Sequence, residues 1–197
     1  MTSDAHEGLR RAIAECFPSA AWQRRIVHLE RNACSLLGSK RRRKAAGKIM
    51  QAVFAESEPA SVRAAYHAAT DAIGGFSGEA AELLGEAEAD ALAYLDFPAE
   101  HRRRIRTNNA QERTNREIKR RTRAAQVLPS MEPMIRPVGA VMAEADEDWS
   151  VRRCMATMDA LETPLPPEPP IDDETRSRAE RLVLVAMETA GIGPKAA

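Results

Sequence analysis

Apolar residues recur along most of this chain at three- and four-residue steps, the period of an amphipathic helix. Leu9, Ala12, Ile13 and Cys16 mark a first helix over Ala5–Cys16, closed by Pro18. Trp22, Ile26, Leu29, Ala33 and Leu36 mark a second, which ends near Gly38. Ala45, Ile49, Val53 and Phe54 predict a helix from Arg42 to Ala55, and another runs from Ala60 to Ile73 before Gly74-Gly75. Between Gly78 and Leu95, the inward positions are Ala81, Leu84, Ala87, Ala91, Leu92 and Leu95. Phe97-Pro98 ends that helix and Pro98-Ala99-Glu100-His101 starts the next turn. Further on, Val127-Leu128-Pro129 reads as a short extended connector, and Ser130 caps a helix over Met131–Trp149 that Pro137 should kink or split. The Pro-rich stretch 163–170 is a stiff linker. Asp172 or Asp173 then caps a last amphipathic helix through Ala190, followed by a loose tail. Convincing strands are absent, although Met1–Asp4 has the character of a frayed strand end. The expected fold class is therefore mainly α.

Residues 107–123 break the apolar rhythm. They hold a helix-start signal at Asn109 and then a helix with almost no apolar face. From Arg102 to Arg123 there are ten Lys or Arg against Glu112 and Glu117 alone. A helix polar all round does not form to fill a core. Basic residues clustered on one element usually face a polyanion.

Composition changes this picture in three ways. The formal net charge is zero, so bulk charge says nothing about partners. Its distribution does: Lys40–Lys44 and Arg102–Arg123 are basic, while residues 79–90 and 144–148 are acidic. Aromatic residues make up only 4%, so the apolar surface available for burial is modest and part of the core is expected to come from residues outside this chain. Cys16, Cys34 and Cys154 stand far apart, which suits a reducing cytoplasm and neither a disulfide framework nor a zinc knuckle. No apolar run approaches the roughly 20 residues of a membrane span, and residues 1–20 lack the apolar region of a secretory signal.

Three residues are candidates for chemistry. With Asn109 as N-cap, Glu112 falls at the third helical position, a variant of the capping box. It is equally placed to hold a metal, because Glu112, Asn115/Arg116, Lys119 and Arg123 share one helix face. A divalent ion there would lie at the head of a phosphate-gripping strip. Asp4 sits where a strand end would meet a helix start, a place that suits both an N-cap and an active-site carboxylate. His28 lies on the polar side of its helix with Arg25, Asn32 and Ser35, and no second His or Cys stands at ligand spacing. Lys40–Lys44 reads as a solvated loop and helix start, with DNA contact as the minor alternative.

These segments together resemble a known family. Asn109-Ala-Gln-Glu-Arg-Thr-Asn-Arg-Glu-Ile-Lys-Arg-Arg-Thr122 resembles the segment of mutator-type transposases of bacterial insertion sequences that carries their last catalytic acid. Ser3-Asp4-Ala5-His6-Glu7-Gly8-Leu9 is similar to the segment with the middle acid. Trp22–Asn32 resembles the family's Gln-Arg-Cys-x-x-His-x-x-Arg-Asn motif, with Arg25 in place of the Cys. Gly139-Ala140-Val141 through Glu147-Asp148-Trp149 looks like the closing helix. Residues 163–197 match nothing in that pattern.

The resemblance implies a ribonuclease-H-like catalytic core with an Asp-Asp-Glu triad and a long helical insertion between the last two acids. Asp4 would be the second acid, Glu112 the third and His28 the motif histidine. Asp4 and Glu112 would share divalent metals, Mg²⁺ or Mn²⁺, for DNA strand cleavage and transfer. Arg113, Asn115, Arg116, Lys119, Arg120, Arg121 and Arg123 would bind DNA, both transposon ends and target. The first Asp and most of the central sheet would lie upstream of these residues, so the expectation is a C-terminal portion that is inactive alone. The implied organisation is a core remnant at 1–20, the insertion at 21–100, the core helix with the Glu and the closing helix at 101–155, and a Pro-rich linker with a C-terminal helix at 156–197. Full-length transposase or self-association is the implied protein partner. Two other readings rest on the same residues: a stand-alone DNA-binding regulator of transposition, and a helical interaction module that docks on a transposase.

Overall fold

Ser39, Ser77 and Asp172 each accept a backbone N–H from the residue three positions on, and each opens a helix. This satisfies a donor that a helix start otherwise leaves orphaned. The structure, a computed structural model, describes residues 1–107, 109–124, 132–151, 167 and 170–193. In chain order, the elements are β1 (Thr2–Ser3), α1 (Glu7–Cys16), β2 (Gln23–Arg24), α2 (Ile26–Ser35), α3 (Lys40–Val53), α4 (Pro59–Gly74) and α5 (Gly78–Leu92). A 3₁₀ turn (Ala93–Asp96), α6 (Ala99–Ile105), α7 (Asn109–Ala124), α8 (Glu132–Val151) and α9 (Asp173–Thr189) follow. The connector 127–129, the cap at Ser130, Cys154, most of the Pro-rich stretch and the tail from residue 194 lie outside the described residues. Two compact units result: Met1–Thr107 with Pro164–Ala197, and Asn108–Thr163.

In the first unit, α2, α3, α4, α5 and α9 pack around one apolar core. Leu29, Leu37, Ile49, Met50, Tyr66, Ile73, Leu84 and Leu92 are its large, fully buried side chains. Alanines fill many remaining inward positions, among them Ala33, Ala45, Ala46, Ala65, Ala69, Ala87 and Ala91. Small side chains let helix axes come close: a Cβ on Gly74 would stand 3.3 Å from the Cβ of Ala81. The Tyr66 hydroxyl donates to the Leu84 carbonyl at 2.8 Å, so the one polar atom of this buried ring is satisfied. Burial pushes its hydroxyl far above the ordinary value.

Three features depart from the expected helices. The second helix starts at Ile26, not Trp22, because Gln23 and Arg24 pair in parallel with Thr2 and Ser3. Leu95 is buried as expected, but α5 stops at Leu92 and the 3₁₀ turn carries Tyr94 and Leu95 inward. The last helix, expected only as an amphipathic segment after a stiff linker, docks on the bundle: α9 lies on α3 and α4 and buries Ala179, Val183 and Ala186. By contrast, α1 buries none of its residues, and Leu9 and Phe17 remain about half exposed. Among the described residues, the apolar face of α1 therefore adds nothing to the core.

In the second unit, α7 packs along α8. Helix α8 continues through Pro137. That proline has no N–H to give to the carbonyl four residues earlier, so the helix continues with one backbone hydrogen bond fewer.

Candidate active site and basic helix

Asp4 follows directly on β1. The pairing of β1 with β2 is fixed by the Gln23 N–H donating to Met1 O at 2.8 Å and the Arg25 N–H donating to Ser3 O at 3.0 Å. Both strands end at α2, so Asp4 faces the first turn of that helix. Its Oδ2 lies 3.4 Å from His28 Nε2, and its Oδ1 lies 3.6 Å from Arg25 Nη1. Oδ1 is buried and accepts no hydrogen bond. Asp4 does not cap α1: His6 holds the N-cap position, and Asp4 contributes only its carbonyl, to the His6 N–H at 2.8 Å. His28 is thus drawn onto Asp4 and is not merely a solvated residue on a polar helix face.

The support beneath this pair comes from Gln23, which is 2% exposed. Its amide N–H₂ donates to Arg24 O at 2.7 Å and Ala91 O at 2.9 Å, and its Oε1 accepts the Tyr94 N–H at 2.7 Å. One side chain thereby ties β2 to the end of α5. Arg24 pairs with Asp90 at 3.2 Å across the same junction. Trp22 closes the outer side: its indole N–H donates to Ser3 Oγ at 2.8 Å, and Arg10 stacks on its ring at 4.6 Å. The sequence reading singled out neither Gln23 nor Trp22 for this role. A polar residue set one step after an apolar anchor was the available signal.

In the second unit, α7 divides into two stripes. Thr114, Glu117, Ile118, Arg121 and Thr122 are half-buried and follow helical spacing. Glu112, Arg113, Asn115, Arg116, Lys119, Arg120 and Arg123 are exposed. The helix expected to be polar all round therefore has a packing stripe, and among the residues of known burial Ile118 is its one apolar member. Arg121 donates two hydrogen bonds to Glu144 on α8, at 2.9 and 2.5 Å, and one to Glu117 at 2.9 Å. Arg120 donates to Glu117 at 2.8 and 2.5 Å. Hydrogen bonds from Arg120 and then Arg121 hold the Glu117 carboxyl down to about 2. Arg121 holds Glu144 below the ordinary carboxylate range in the same way. Of the basic residues expected to meet DNA, Arg121 is thus engaged within its own unit, whereas Arg113, Arg116, Lys119 and Arg123 stand on the exposed stripe.

Glu112 lies exposed in the first turn of α7, where the helix dipole favours a negative charge. Helix α7 begins at Asn109 itself, so Glu112 is one position further into the helix than a capping box would place it. Asp4 belongs to the first unit and Glu112 to the second. Among the described residues, no group of three or more His, Cys, Asp or Glu could hold a metal ion. The buried Oδ1 of Asp4 accepts no hydrogen bond, and the cation beside it is Arg25 Nη1, at 3.6 Å.

The family model described as "Transposase, Mutator family" matches residues 1–152. The transposase for insertion sequence element IS406 of Burkholderia multivorans is 37% identical over 147 residues, covering 75% of this chain and 38% of that protein. The transposase for IS1081 of Mycobacterium tuberculosis is 38% identical over 149 residues, covering 76% and 36%. The transposase for IS256 in transposon Tn4001 of Staphylococcus aureus is 28% identical over 152 residues. The chain belongs to the Mutator family of transposases. It spans less than two fifths of the length of these first two relatives. No solved structure matches it, and among the described residues no helix is long and apolar enough to cross a membrane.

Proposed function

We propose that this chain carries two acids of a metal-dependent DNA strand-transfer site, Asp4 and Glu112, together with a helix that grips DNA. On this reading the two acids belong to a ribonuclease-H-like core, and the α2–α5 bundle is the insertion between them, with α9 laid on its surface. Asp4 and Glu112 would hold Mg²⁺ or Mn²⁺, which supplies activation of the attacking oxygen and stabilisation of the leaving one. His28, against Asp4, fixes the direction of that carboxylate and can share a proton with it. The observation that supports the reading is the strand-anchored Asp4 carboxylate, held at one junction with His28 Nε2 at 3.4 Å and Arg25 Nη1 at 3.6 Å.

The exposed stripe of α7 supplies the DNA contact, with transposon ends and target as the partners and the cytoplasm as the compartment. Counterion release makes such binding fall with salt, by a slope of about 0.9 per phosphate contact on duplex DNA. Fluorescence anisotropy with a labelled duplex at several salt concentrations tests it. Arg116→Ala with Lys119→Ala should reduce the slope by roughly two contacts' worth. Binding that ignores salt in the parent chain would overturn the reading. A stand-alone regulator that binds DNA through the same stripe is the second reading. It draws on the exposed basic residues of α7 alone, and under it Glu112→Ala leaves DNA binding intact or improves it, with or without Mn²⁺.

A further inference from the structure

A second basic surface lies in the first unit, away from α7 in sequence. Lys40, Arg41, Arg42, Arg43 and Lys44 open α3, and all five are exposed. The first turn of α3 holds no acid. Successive cations at this end of a helix oppose its dipole and one another, so local stability does not account for them. Residues that break a local rule are where function is expected.

The arginine head groups are fixed by neutral atoms from three separate segments. Arg41 donates to Gly191 O beyond α9. Arg42 donates to Phe76 O in the α4–α5 turn at 3.3 Å, and Arg43 to Leu37 O before α3 at 2.7 Å. Carbonyls orient a guanidinium without cancelling its charge. Among the described residues, none of the five forms an ion pair with a carboxylate. On α7 the situation differs, because Glu117 and Glu144 neutralise Arg120 and Arg121. The unneutralised stripe continues past the helix start: Lys40, Arg41, Lys44 and exposed Lys48 lie on the side of α3 opposite the buried Ala46, Ile49, Met50 and Val53. Lys48 is hydrogen-bonded only to the neutral amide of Gln51, at 3.2 Å. From Lys40 to Lys48 the stripe covers about 12 Å of helix, the axial rise of roughly three to four base pairs.

We propose that the Lys40–Lys48 stripe of α3 is a second phosphate-backbone contact for duplex DNA, independent of α7. It binds without reading sequence, because its lysines act as point charges on phosphates and the guanidinium of Arg41 is turned to the Gly191 carbonyl. The inference rests on DNA as the partner of this chain.

The test is the salt dependence of duplex binding by the whole chain, measured by anisotropy for the parent, for Lys40→Ala with Lys44→Ala, and for Arg116→Ala with Lys119→Ala on α7. Among the described residues the two α3 lysines make no hydrogen bond or ion pair, and the three carbonyl-bound arginines are left unchanged, so the variant keeps those contacts. The expected result is a slope reduced by up to about 1.8 in each double variant, additive when the two are combined. An unchanged slope in the α3 variant with a reduced slope in the α7 variant overturns this proposal and leaves the α7 reading standing. A salt-independent parent overturns both. Binding of the parent to vesicles rich in anionic lipid, lost in the α3 variant while DNA binding is kept, also overturns it in favour of a membrane surface.

Discussion

Replacing Gln23 by Leu should cost far more than a change of one surface-strand residue would suggest. Leucine fills much the same space, but three hydrogen bonds disappear: to Arg24 O, to Ala91 O and from Tyr94 N. The Tyr94 N–H and the Ala91 carbonyl, both at the end of α5, lose the partner that Gln23 supplies. A buried polar group left unsatisfied costs about 1–3 kcal/mol. Two such groups give about 2–6 kcal/mol, and the gain from burying an apolar leucine takes back about 1–2 kcal/mol. A net destabilisation of about 1–4 kcal/mol is the expectation. Urea denaturation followed by circular dichroism measures it, as a lower midpoint at unchanged slope, because packing is lost without a change in the surface exposed on unfolding. The effect should reach the site too, since Gln23 holds β2 and β2 holds the strand that aims Asp4. A Gln23→Leu chain within about 0.5 kcal/mol of the parent, the range of an ordinary surface substitution, would refute the role assigned to this amide.

Other outcomes follow from the same structure. Val183→Asp should destabilise the first unit by about 3 kcal/mol or more, by burying a charge against α3 and α4, while Val185→Asp on the exposed side of α9 should stay within about 0.5 kcal/mol; thermal unfolding compares them. Arg121→Ala and Glu144→Ala should each weaken protection of α7 amides in hydrogen exchange; if neither does, the clasp is not what holds α7. Glu117 has its carboxyl depressed to about 2, so its contribution is complete above the unfolded value of 4.5 and is lost as pH falls toward 2. Exchange protection of α7 should therefore decline across that window in the parent, and Glu117→Gln should lack that component of the decline.

The helices were legible because their inward residues keep a 3.6-residue period that needs no tertiary information. Leu84, Ala87, Ala91 and Leu92 sit where spacing alone puts them. Two-residue strands have no period to read, and Trp22 with Ile26 mimics the start of a helix, so β2 was hidden inside α2. The packing stripe of α7 is not legible from an apolar period, because its half-buried members Thr114, Glu117, Arg121 and Thr122 are polar and Ile118 is the one large apolar residue among them. Asp4 and Glu112 could be chosen from their residue types and motif contexts. The contact of Asp4 with His28 spans the β1–β2 pairing and could not be seen locally. The docking of α9 depends equally on long-range packing, since an amphipathic pattern states that a face will be covered and not by what.

The central claim joins a metal-holding acid to a DNA-gripping helix, and one measurement addresses both at once. Duplex affinity is compared with and without Mn²⁺ for the parent chain and for Glu112→Gln. If Glu112 helps to hold the ion beside bound phosphates, Mn²⁺ strengthens DNA binding by the parent, and Glu112→Gln abolishes that gain while binding at least as well as the parent in the absence of metal. An identical response to Mn²⁺ in both chains would contradict the account.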